Sequence, residues 1–231
     1  MLKIERTVLP SPEQWEIIIE GMRNPMNSWH LSDSFECIAD CCDCNAYYDC
    51  QNQGKLDYCI GENDHKLMMG LAKGGAVHAK YRRMIPVFLT IDAPLYWWKE
   101  FDTYKVGTVA NSCSTMHKIH AKAFERDDFS VEHLHNFKEQ HWMVCMDNVI
   151  SALNVARDKY LETKDKKYWW QMIQLLPTSY NQKRTVMLNY EVLVNIYHSR
   201  KNHKLDEWHV FCDWIEQLPY SEIITGGDLC V

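Results

Sequence analysis

Alternating apolar and polar positions open the chain, and a helical pattern follows them. Residues 2–9, LKIERTVL, alternate over most of their length, which is typical of a half-buried strand. Residues 11–24 carry helix signals, because Ser11 is a suitable N-cap and Gln14, three residues on, completes a capping box. Pro12 stands in the first turn, where proline is tolerated. The pattern predicts a strand and then a capped helix.

Two more elements are predicted in the first half. Residues 63–75 form a helix, with Asn63 as its N-cap and a Gly-Gly pair as its stop signal. Residues 85–94 alternate as a strand does, and three apolar side chains share one face: Val87, Leu89 and Ile91. Residues 35–60 show no clear period, so we interpret them as an irregular insertion.

An aromatic helix is predicted after Pro94, which ends the strand and suits a first helical turn. Trp97, Phe101 and Tyr104 are spaced as one apolar stripe on that helix. The helical pattern fades at residues 106–107. The segment that follows is rich in hydroxyls and amides and poor in carboxylates.

The rest of the chain is predicted to be mostly helical. Ser130 caps a long helix that runs to about Glu162, and its inner face is Leu134, Phe137, His141, Val144 and Cys145. Further helices are predicted over 164–175, 182–201 and 205–217. Strands and helices in this order indicate the α+β class. We predict one domain over 1–231, with a Cys-rich insertion at about 35–60.

Composition and charge narrow the classes of function. The chain has 231 residues, 46% of them hydrophobic, and nine tryptophans and twelve tyrosines, which favours a large core and buried contacts between subunits. A net charge of −6 argues against binding a nucleic-acid polymer. No apolar run approaches the length of a membrane span. We therefore expect no membrane contact, a cytoplasmic location and mostly free thiols among the ten cysteines.

The insertion holds six of those cysteines: Cys37, Cys41, Cys42, Cys44, Cys50 and Cys59. They would supply enough thiolates for a structural zinc ion. However, the spacing lacks a repeated CxxC pair, so the zinc site is the less favoured interpretation and we predict no metal. The histidines at 133, 135 and 141 form no metal-binding motif either.

A polar pair brackets an apolar stripe in the predicted helix 182–201. Asn189, Leu193, Ile196 and Arg200 fall within an arc of about 60° on a regular helix. An arginine beside a core-facing stripe needs a negatively charged partner. That partner is either a carboxylate of the protein or an anionic ligand, and the helix alone favours the carboxylate.

The segment KVGTVANSCSTMHK offers a second candidate site. Its polar groups suit phosphate and pyrimidine edges without the repulsion that a carboxylate would add, and they are Lys105, Thr108, Asn111, Ser112, Ser114 and Thr115. The alternative is an ordinary polar loop that caps the preceding helix. Cys113 has no base beside it in sequence, so a buried, inert thiol is favoured over a nucleophile.

Taken in order, these segments resemble the flavin-dependent thymidylate synthases. Four features carry the resemblance over about residues 63–218: the helix NDHKLMMGLAKGG followed by His78, the strand VFLTIDAP, the spacing from there to TYKVGT and VANSCS, and LPTSY followed by Asn189-x5-Asn195-x4-Arg200. The last spacing resembles the family's flavin-contacting asparagines and its phosphate-binding arginine.

Several positions depart from the family's pattern. Thr103–Lys105 stand in place of Arg-His-Arg, and Thr108 stands in place of a serine. Glu191 replaces a flavin-binding arginine, and Glu100 replaces a glutamine that contacts the pyrimidine. Ile173 lies where another substrate arginine is expected. Positive charge is therefore reduced along the expected site.

The resemblance implies a central antiparallel sheet with a long-helix bundle, a homotetramer, and reductive methylation of dUMP or a related pyrimidine nucleotide. FAD would be the cofactor, with NADPH and methylenetetrahydrofolate as co-substrates. The catalytic candidates are Thr108 and Tyr104, the nucleotide-binding ones are Arg200, Lys105, Glu100, Ser112 and Ser114, and the flavin-binding ones are His78, Asn111, Asn189 and Asn195. The alternative is a relative without flavin chemistry that binds a nucleotide or a partner protein.

Overall fold

The computed structural model describes residues 1–37, 57–139 and 141–226. The strands are β1 (Lys3–Val8), β2 (Phe35–Glu36), β3 (Tyr58–Cys59), β4 (Pro86–Pro94), β5 (Val109–Ser112) and β6 (Asn181–Asn189). The helices are α1 (Pro12–Arg23), α2 (Glu62–Lys73), α3 (Leu95–Phe101), α4 (Trp142–Thr163), α5 (Lys166–Leu175), α6 (Tyr190–Arg200), α7 (Asp206–Glu216) and α8 (Glu222–Thr225).

Four strands form one sheet in the order β1-β4-β6-β5, and β2 and β3 form a separate antiparallel pair. The predicted α+β class with an antiparallel sheet is confirmed. The chain divides into two compact units. The first comprises residues 1–5, 90–103 and 110–185, and the second comprises residues 6–89, 104–109 and 186–231. Single-domain organisation stays a prediction.

The first half of the sequence folds largely as its pattern predicts. Ser11 accepts a hydrogen bond from Gln14 N at 3.4 Å, and Gln14 Oε1 accepts one from Ser11 N at 2.9 Å, so the predicted capping box is present. The three alternating apolar side chains of β4 are buried, at exposures of 0%, 2% and 0% for Val87, Leu89 and Ile91. The alternation therefore marks the face of β4 that packs inward.

The predicted cap of α2 is wrong. Gly61, not Asn63, is the N-cap, and its position offers no side-chain hydrogen bond. Asp33 supplies the missing acceptors from thirty residues away, because its carboxylate accepts from Asn63 N at 2.9 Å and from Asp64 N at 3.1 Å. The start of this helix is set by a contact that is remote in sequence.

The long helix begins later than predicted, at Trp142 instead of Ser130. Ser130 N donates to Ser179 O at 2.8 Å, beside the bridge that pairs Phe129 with Tyr180, so Ser130 lies in an extended segment. The predicted inner face is also wrong. Leu134 and Phe137 precede the helix and are exposed, and Val144 is 54% exposed.

The predicted helix 182–201 is a strand followed by a helix. Gln182, Val186 and Leu188 are buried, and as even-numbered positions they share one face of β6. Burial in this stretch therefore follows the two-residue period of a strand. At Asn189 the strand ends, and Asn189 Oδ1 accepts a hydrogen bond from Val192 N at 3.0 Å as the N-cap of α6. Asn189 and Arg200 therefore mark the two ends of α6.

The first unit buries one cluster between α4, α5 and the segment ahead of α4. Its buried members are Ile119, Phe124, Phe129, Met146, Leu153, Ala156 and Met172. The aromatic helix α3 adds Trp97, Trp98 and Phe101, whose rings lie 4.8–5.3 Å apart. Trp98 Nε1 donates to Gln182 O at 2.8 Å, which fixes α3 beside β6. The predicted aromatic stripe is confirmed as core for Trp97 and Phe101, but Tyr104 lies beyond the end of α3 and is half-buried.

In the second unit, α6 and α7 pack over a core that includes Trp15, Ile85, Leu193, Trp208 and Phe211, all 1% exposed or less. Across the described ranges, no helix is long and apolar enough to cross a membrane. The cytoplasmic location stays a prediction. Four of the insertion's cysteines, Cys41, Cys42, Cys44 and Cys50, lie outside the described residues.

Candidate functional site

A cation held by two aromatic rings lies at the end of α6. Arg200 Nε donates a hydrogen bond to Tyr104 Oη at 2.9 Å. The guanidinium carbon lies 4.9 Å from the centre of the Trp208 ring and 5.6 Å from that of the Tyr104 ring. Trp208 is fully buried, whereas Arg200 is partly exposed. The two rings therefore fix the plane of a partly exposed guanidinium.

The stretch from Tyr104 to Thr108 follows α6 towards its other end. Gly107 has a φ of +80°, and a Cβ there would meet Asn189 Nδ2 at 3.1 Å and Val192 Cγ2 at 3.2 Å. Glycine is favoured because the left-handed backbone strains any other residue, and a Cβ would force Asn189 or Val192 to move by a few tenths of an ångström. Tyr104 thus contacts the last residue of α6 and Gly107 approaches its cap.

Thr108, the residue after Gly107, carries a buried hydroxyl group. Its Oγ1 is buried and has no hydrogen-bond partner within the ranges that the structure describes. Lys105, three residues earlier, is exposed. The structure therefore collects four of the predicted residues along one helix: Tyr104, Lys105, Thr108 and Arg200.

A cavity of about 350 Å³ opens on the face of α6 that carries Glu191 and Asn195. Its floor is apolar, with Met69, Val194 and Ile224. Polar side chains also line it: Lys73, Arg82, Glu191, Asn195 and His198. A mostly apolar cavity with a few convergent polar groups is typical of a small-molecule site.

Arg82 and Glu191 are the buried charges of this cavity. Arg82 is 7% exposed, and its Nη2 donates to Ile223 O at 2.5 Å. Its Nη1 lies 3.9 Å from Glu191 Oε2, which is too long for a hydrogen bond. Arg82 Nε and Glu191 Oε2 are both buried without a hydrogen-bond partner among the described residues. The cavity wall thus holds one unsatisfied donor and one unsatisfied acceptor.

His78 lines a different cavity from Asn195. That cavity measures about 410 Å³, and its other lining residues include Met22, Met26, Leu71 and Tyr81. Both cavities border the segment from Gly75 to Arg82. Of the predicted flavin-binding residues, His78 and Asn195 therefore lie on two neighbouring surfaces of the second unit, and Asn189 caps α6.

The remaining predicted residues belong to the first unit. Asn111 and Ser112 lie on β5 and are exposed. Ser114 Oγ accepts from Met116 N at 3.3 Å and from Lys118 N at 3.2 Å, which favours the loop-capping interpretation for this hydroxyl. Glu100 is partly exposed, and its carbonyl accepts from Thr103 Oγ1 at 2.7 Å. Their roles in ligand binding stay predictions.

No sequence pattern distinguishes Arg82 or Trp208 as a functional residue. Arg82 is the first of two consecutive arginines in the segment YRRM, just ahead of β4. The residue is buried, with 7% exposure. Buried arginines are rare without a partner, but burial is not visible in the sequence. Trp208 looks like any core tryptophan of an amphipathic helix, and only the structure puts Arg200 over its ring.

Known structures resemble this chain along its whole length. The flavin-dependent thymidylate synthase ThyX from Helicobacter pylori, complexed with FAD and dUMP, superimposes with a TM-score of 0.61 at 16% sequence identity, over 98% of both chains. A second structure of that protein with FAD and dUMP gives the same values over 98% of this chain and 97% of its own. The chain has the fold of flavin-dependent thymidylate synthase. No protein-family model matches it, and no curated protein is similar to it in sequence.

Proposed function

We propose that the chain binds a pyrimidine nucleotide of the dUMP type and FAD, and catalyses reductive one-carbon transfer to the pyrimidine. The observation that carries this proposal is the Arg200 guanidinium, held by Tyr104 and Trp208 on a chain with the thymidylate synthase fold. The similar structures contain FAD and dUMP, which gives the two ligands of the proposal.

In this proposal Arg200 binds the nucleotide phosphate. A guanidinium presents several N–H donors in a rigid plane, and Tyr104 and Trp208 fix that plane. Lys105 adds a second positive charge from the adjacent loop. The buried Thr108 hydroxyl, which lacks a partner in the described part of the chain, would bond an edge of the pyrimidine. Tyr104 and Thr108 would orient the ring for reaction.

The residues of the second unit fit a flavin nucleotide. The cavity beside α6 has an apolar floor for a planar ring, and its buried polar atoms require partners that a heterocycle has. Asn195 and Glu191 would hold one part of FAD, and His78 would contact another. FAD supplies the redox chemistry when bound, with NADPH and methylenetetrahydrofolate as co-substrates. The protein contributes binding, orientation and exclusion of water.

Self-association would complete the site. Val144, Ser151 and Val155 share one stripe of α4, opposite the buried Met146 and Leu153. Val144 is 54% exposed and Val155 61%, so the stripe is available for another copy. We propose a homotetramer in which the exposed groups of β5 in one copy, Asn111 and Ser112, face ligands held by another copy.

One observation favours the alternative, a nucleotide-binding relative without flavin chemistry. Glu191 lines the cavity, and one of its carboxylate oxygens, Oε2, has no hydrogen-bond partner among the described residues. A carboxylate there opposes the pyrophosphate of a dinucleotide by like-charge repulsion. A chain that binds dUMP but takes up no flavin would be this relative.

The visible spectrum of the purified protein distinguishes the two functions. The proposal predicts flavin absorbance, either as purified or after incubation with FAD and removal of the excess, and bleaching of that absorbance by NADPH under nitrogen. A protein that stays colourless after incubation with FAD, yet binds dUMP by calorimetry, supports the non-catalytic relative and contradicts the enzyme.

A further inference from the structure

The cavity beside α6 combines three features that define its ligand. It has about 350 Å³ of space, an apolar floor and two buried charged side chains of opposite sign. Arg82 is 7% exposed, and Glu191 is 16% exposed at its side chain. Each has a buried polar atom without a hydrogen-bond partner in the part of the chain described. Such atoms destabilise a fold unless a ligand or water bonds them.

The two charges do not satisfy each other. Arg82 Nη1 and Glu191 Oε2 lie 3.9 Å apart, outside hydrogen-bond distance. Ile223 O accepts from Nη2 and holds the guanidinium in its position. The carboxylate is carried on the first turn of α6, whose start is fixed by the Asn189 cap. Arg82 Nη1 and Glu191 Oε2 are therefore held side by side, 3.9 Å apart, and Arg82 Nε is the guanidinium nitrogen that lacks a partner among the described residues.

A neutral ring edge fits this spacing. In a lactam or imide, the N–H nitrogen and the adjacent carbonyl oxygen lie roughly 2.3 Å apart, as standard amide bond lengths require. Two slightly diverging hydrogen bonds of about 2.9 Å would connect such an edge to protein atoms 3.9 Å apart. The N–H would donate to Glu191 Oε2, and the carbonyl would accept from Arg82.

A phosphate fits the same place poorly. Arg82 already faces a carboxylate at 3.9 Å, so this pair offers no net positive charge, and a phosphate would depend on the exposed Lys73 that also lines the cavity. A phosphate close enough to bond Arg82 would also approach Glu191 and be repelled by it. Asn195 and His198 lie at the rim of the cavity, are exposed and are suited to further neutral polar contacts.

We infer that Arg82 and Glu191 together recognise the lactam or imide edge of a neutral nitrogen heterocycle, which rests over Met69, Val194 and Ile224. The inference rests on the proposed function in one respect: the ring of a flavin, which carries an imide N–H between two carbonyls, is the heterocycle that we assign to the cavity. It goes further in naming the edge that is read and the two side chains that read it.

Riboflavin and 3-methylriboflavin test this assignment. Both lack phosphate, and the methyl group replaces the imide hydrogen through which the ring would donate a hydrogen bond to Glu191. Binding is measured by quenching of flavin fluorescence on the full-length protein. We expect the methylated ring to bind at least about tenfold more weakly, the loss of one hydrogen bond to a charged group together with a steric clash. Equal affinities, or no riboflavin binding, would overturn the inference.

Variants locate the effect. Glu191→Gln should reduce the difference in affinity between riboflavin and 3-methylriboflavin to about threefold or less, since the amide is a weaker acceptor than a carboxylate. Arg82→Lys, which keeps the charge but loses the planar donor group, should weaken the binding of both flavins. Asp213→Asn, an exposed carboxylate on α7, is the control and should change neither. A full methyl effect in Glu191→Gln would contradict the assignment.

The proposed function can fail separately. If riboflavin shows the methyl effect but the protein binds no dUMP, the nucleotide half of the proposed function fails and the edge-recognition site stands. If the protein takes up FAD and binds dUMP but shows no methyl effect with riboflavin, the proposed function stands and the inference fails.

Discussion

Arg200 and Tyr104 are 96 residues apart in sequence, and a hydrogen bond of 2.9 Å joins them. The bond runs from the guanidinium Nε to the phenol oxygen, so the remaining N–H groups keep a fixed direction. Trp208 supports the same guanidinium from its ring face at 4.9 Å. This cluster is the basis of the phosphate site that we propose.

Removing the phenol oxygen should loosen the guanidinium without emptying the space beside it. Tyr104→Phe keeps the ring and loses the acceptor, so we expect dUMP affinity to fall about fivefold, the effect of one hydrogen bond of ~1 kcal/mol. Calorimetry with dUMP measures it. Tyr197→Phe is the control, because Tyr197 lies on α6 with Arg200 but donates its hydroxyl hydrogen bond to Glu216 of α7. Equal losses in both variants would contradict a specific role for Tyr104.

Two glycines make a matched pair for backbone strain. Gly107→Ala should destabilise the fold by roughly 1–2 kcal/mol, because its φ is +80° and the new Cβ would crowd Asn189 and Val192. Gly70→Ala, inside α2 with no atom within 4 Å of the new Cβ, should stabilise it by about 0.5–1 kcal/mol. Urea unfolding measures both. An unchanged midpoint for Gly107→Ala would mean that the loop does not approach α6 as described.

Asp64 should be a major determinant of stability at neutral pH. It is fully buried, bonds Arg23 Nε at 2.5 Å and also accepts from Ser32 and Ser34. Burial alone would raise its pKa, but the hydrogen bonds from Ser34, Ser32 and Arg23 outweigh burial and lower it. We expect Asp64→Asn to cost about 3–5 kcal/mol at pH 7, the effect of breaking a buried ion pair.

The pH dependence of that cost follows from the lowered pKa. A carboxyl with a folded-state pKa below its unfolded value of about 3.9 stabilises the fold above that value and stops doing so as the pH falls through the folded-state pKa. The difference between wild type and Asp64→Asn should therefore be constant from about pH 5 to 7 and shrink at lower pH. A difference that grew on acidification would contradict the buried ionised state.

Self-association should depend on the exposed stripe of α4. Val155→Glu places a charge at a position that is 61% exposed in the single chain, so it should leave the fold intact and disrupt an apolar contact between copies. We expect sedimentation velocity to show a smaller species than wild type. Glu162→Gln, near the end of the same helix, is the control. An unchanged sedimentation coefficient for Val155→Glu would remove this stripe from the interface.

Sequence patterns gave the local parts of the fold. The capping box of Ser11 and Gln14 and the alternation of Val87, Leu89 and Ile91 involve neighbours, so the sequence contains the whole signal. The cap of α2 could not be found in this way, because its acceptor is Asp33. The pattern assigns residues 182–189 to the following helix because their apolar residues, Val186, Met187 and Leu188, form a run too short to distinguish a strand from a helix.

The site was predicted in part. Arg200 was identified from its place at the end of an apolar stripe, and the spacing of Asn189, Asn195 and Arg200 suggested their family role. The contact with Tyr104 could not be read from either segment, since only the fold brings residues 104–109 to α6. Arg82 was missed because nothing local distinguishes a buried arginine from an exposed one.

Binding of dUMP and deoxyuridine to wild type and Arg200→Glu is the most direct test of the account. We expect calorimetry to show that dUMP binds to wild type and that deoxyuridine, which lacks the phosphate, binds much more weakly. The affinity of Arg200→Glu for dUMP should be at least about thirtyfold lower than that of wild type. Lys201→Glu makes the same charge change at the next residue, which is exposed, and should lower the affinity for dUMP only a few-fold. Equal dUMP affinity in wild type and a folded Arg200→Glu variant would contradict the phosphate site.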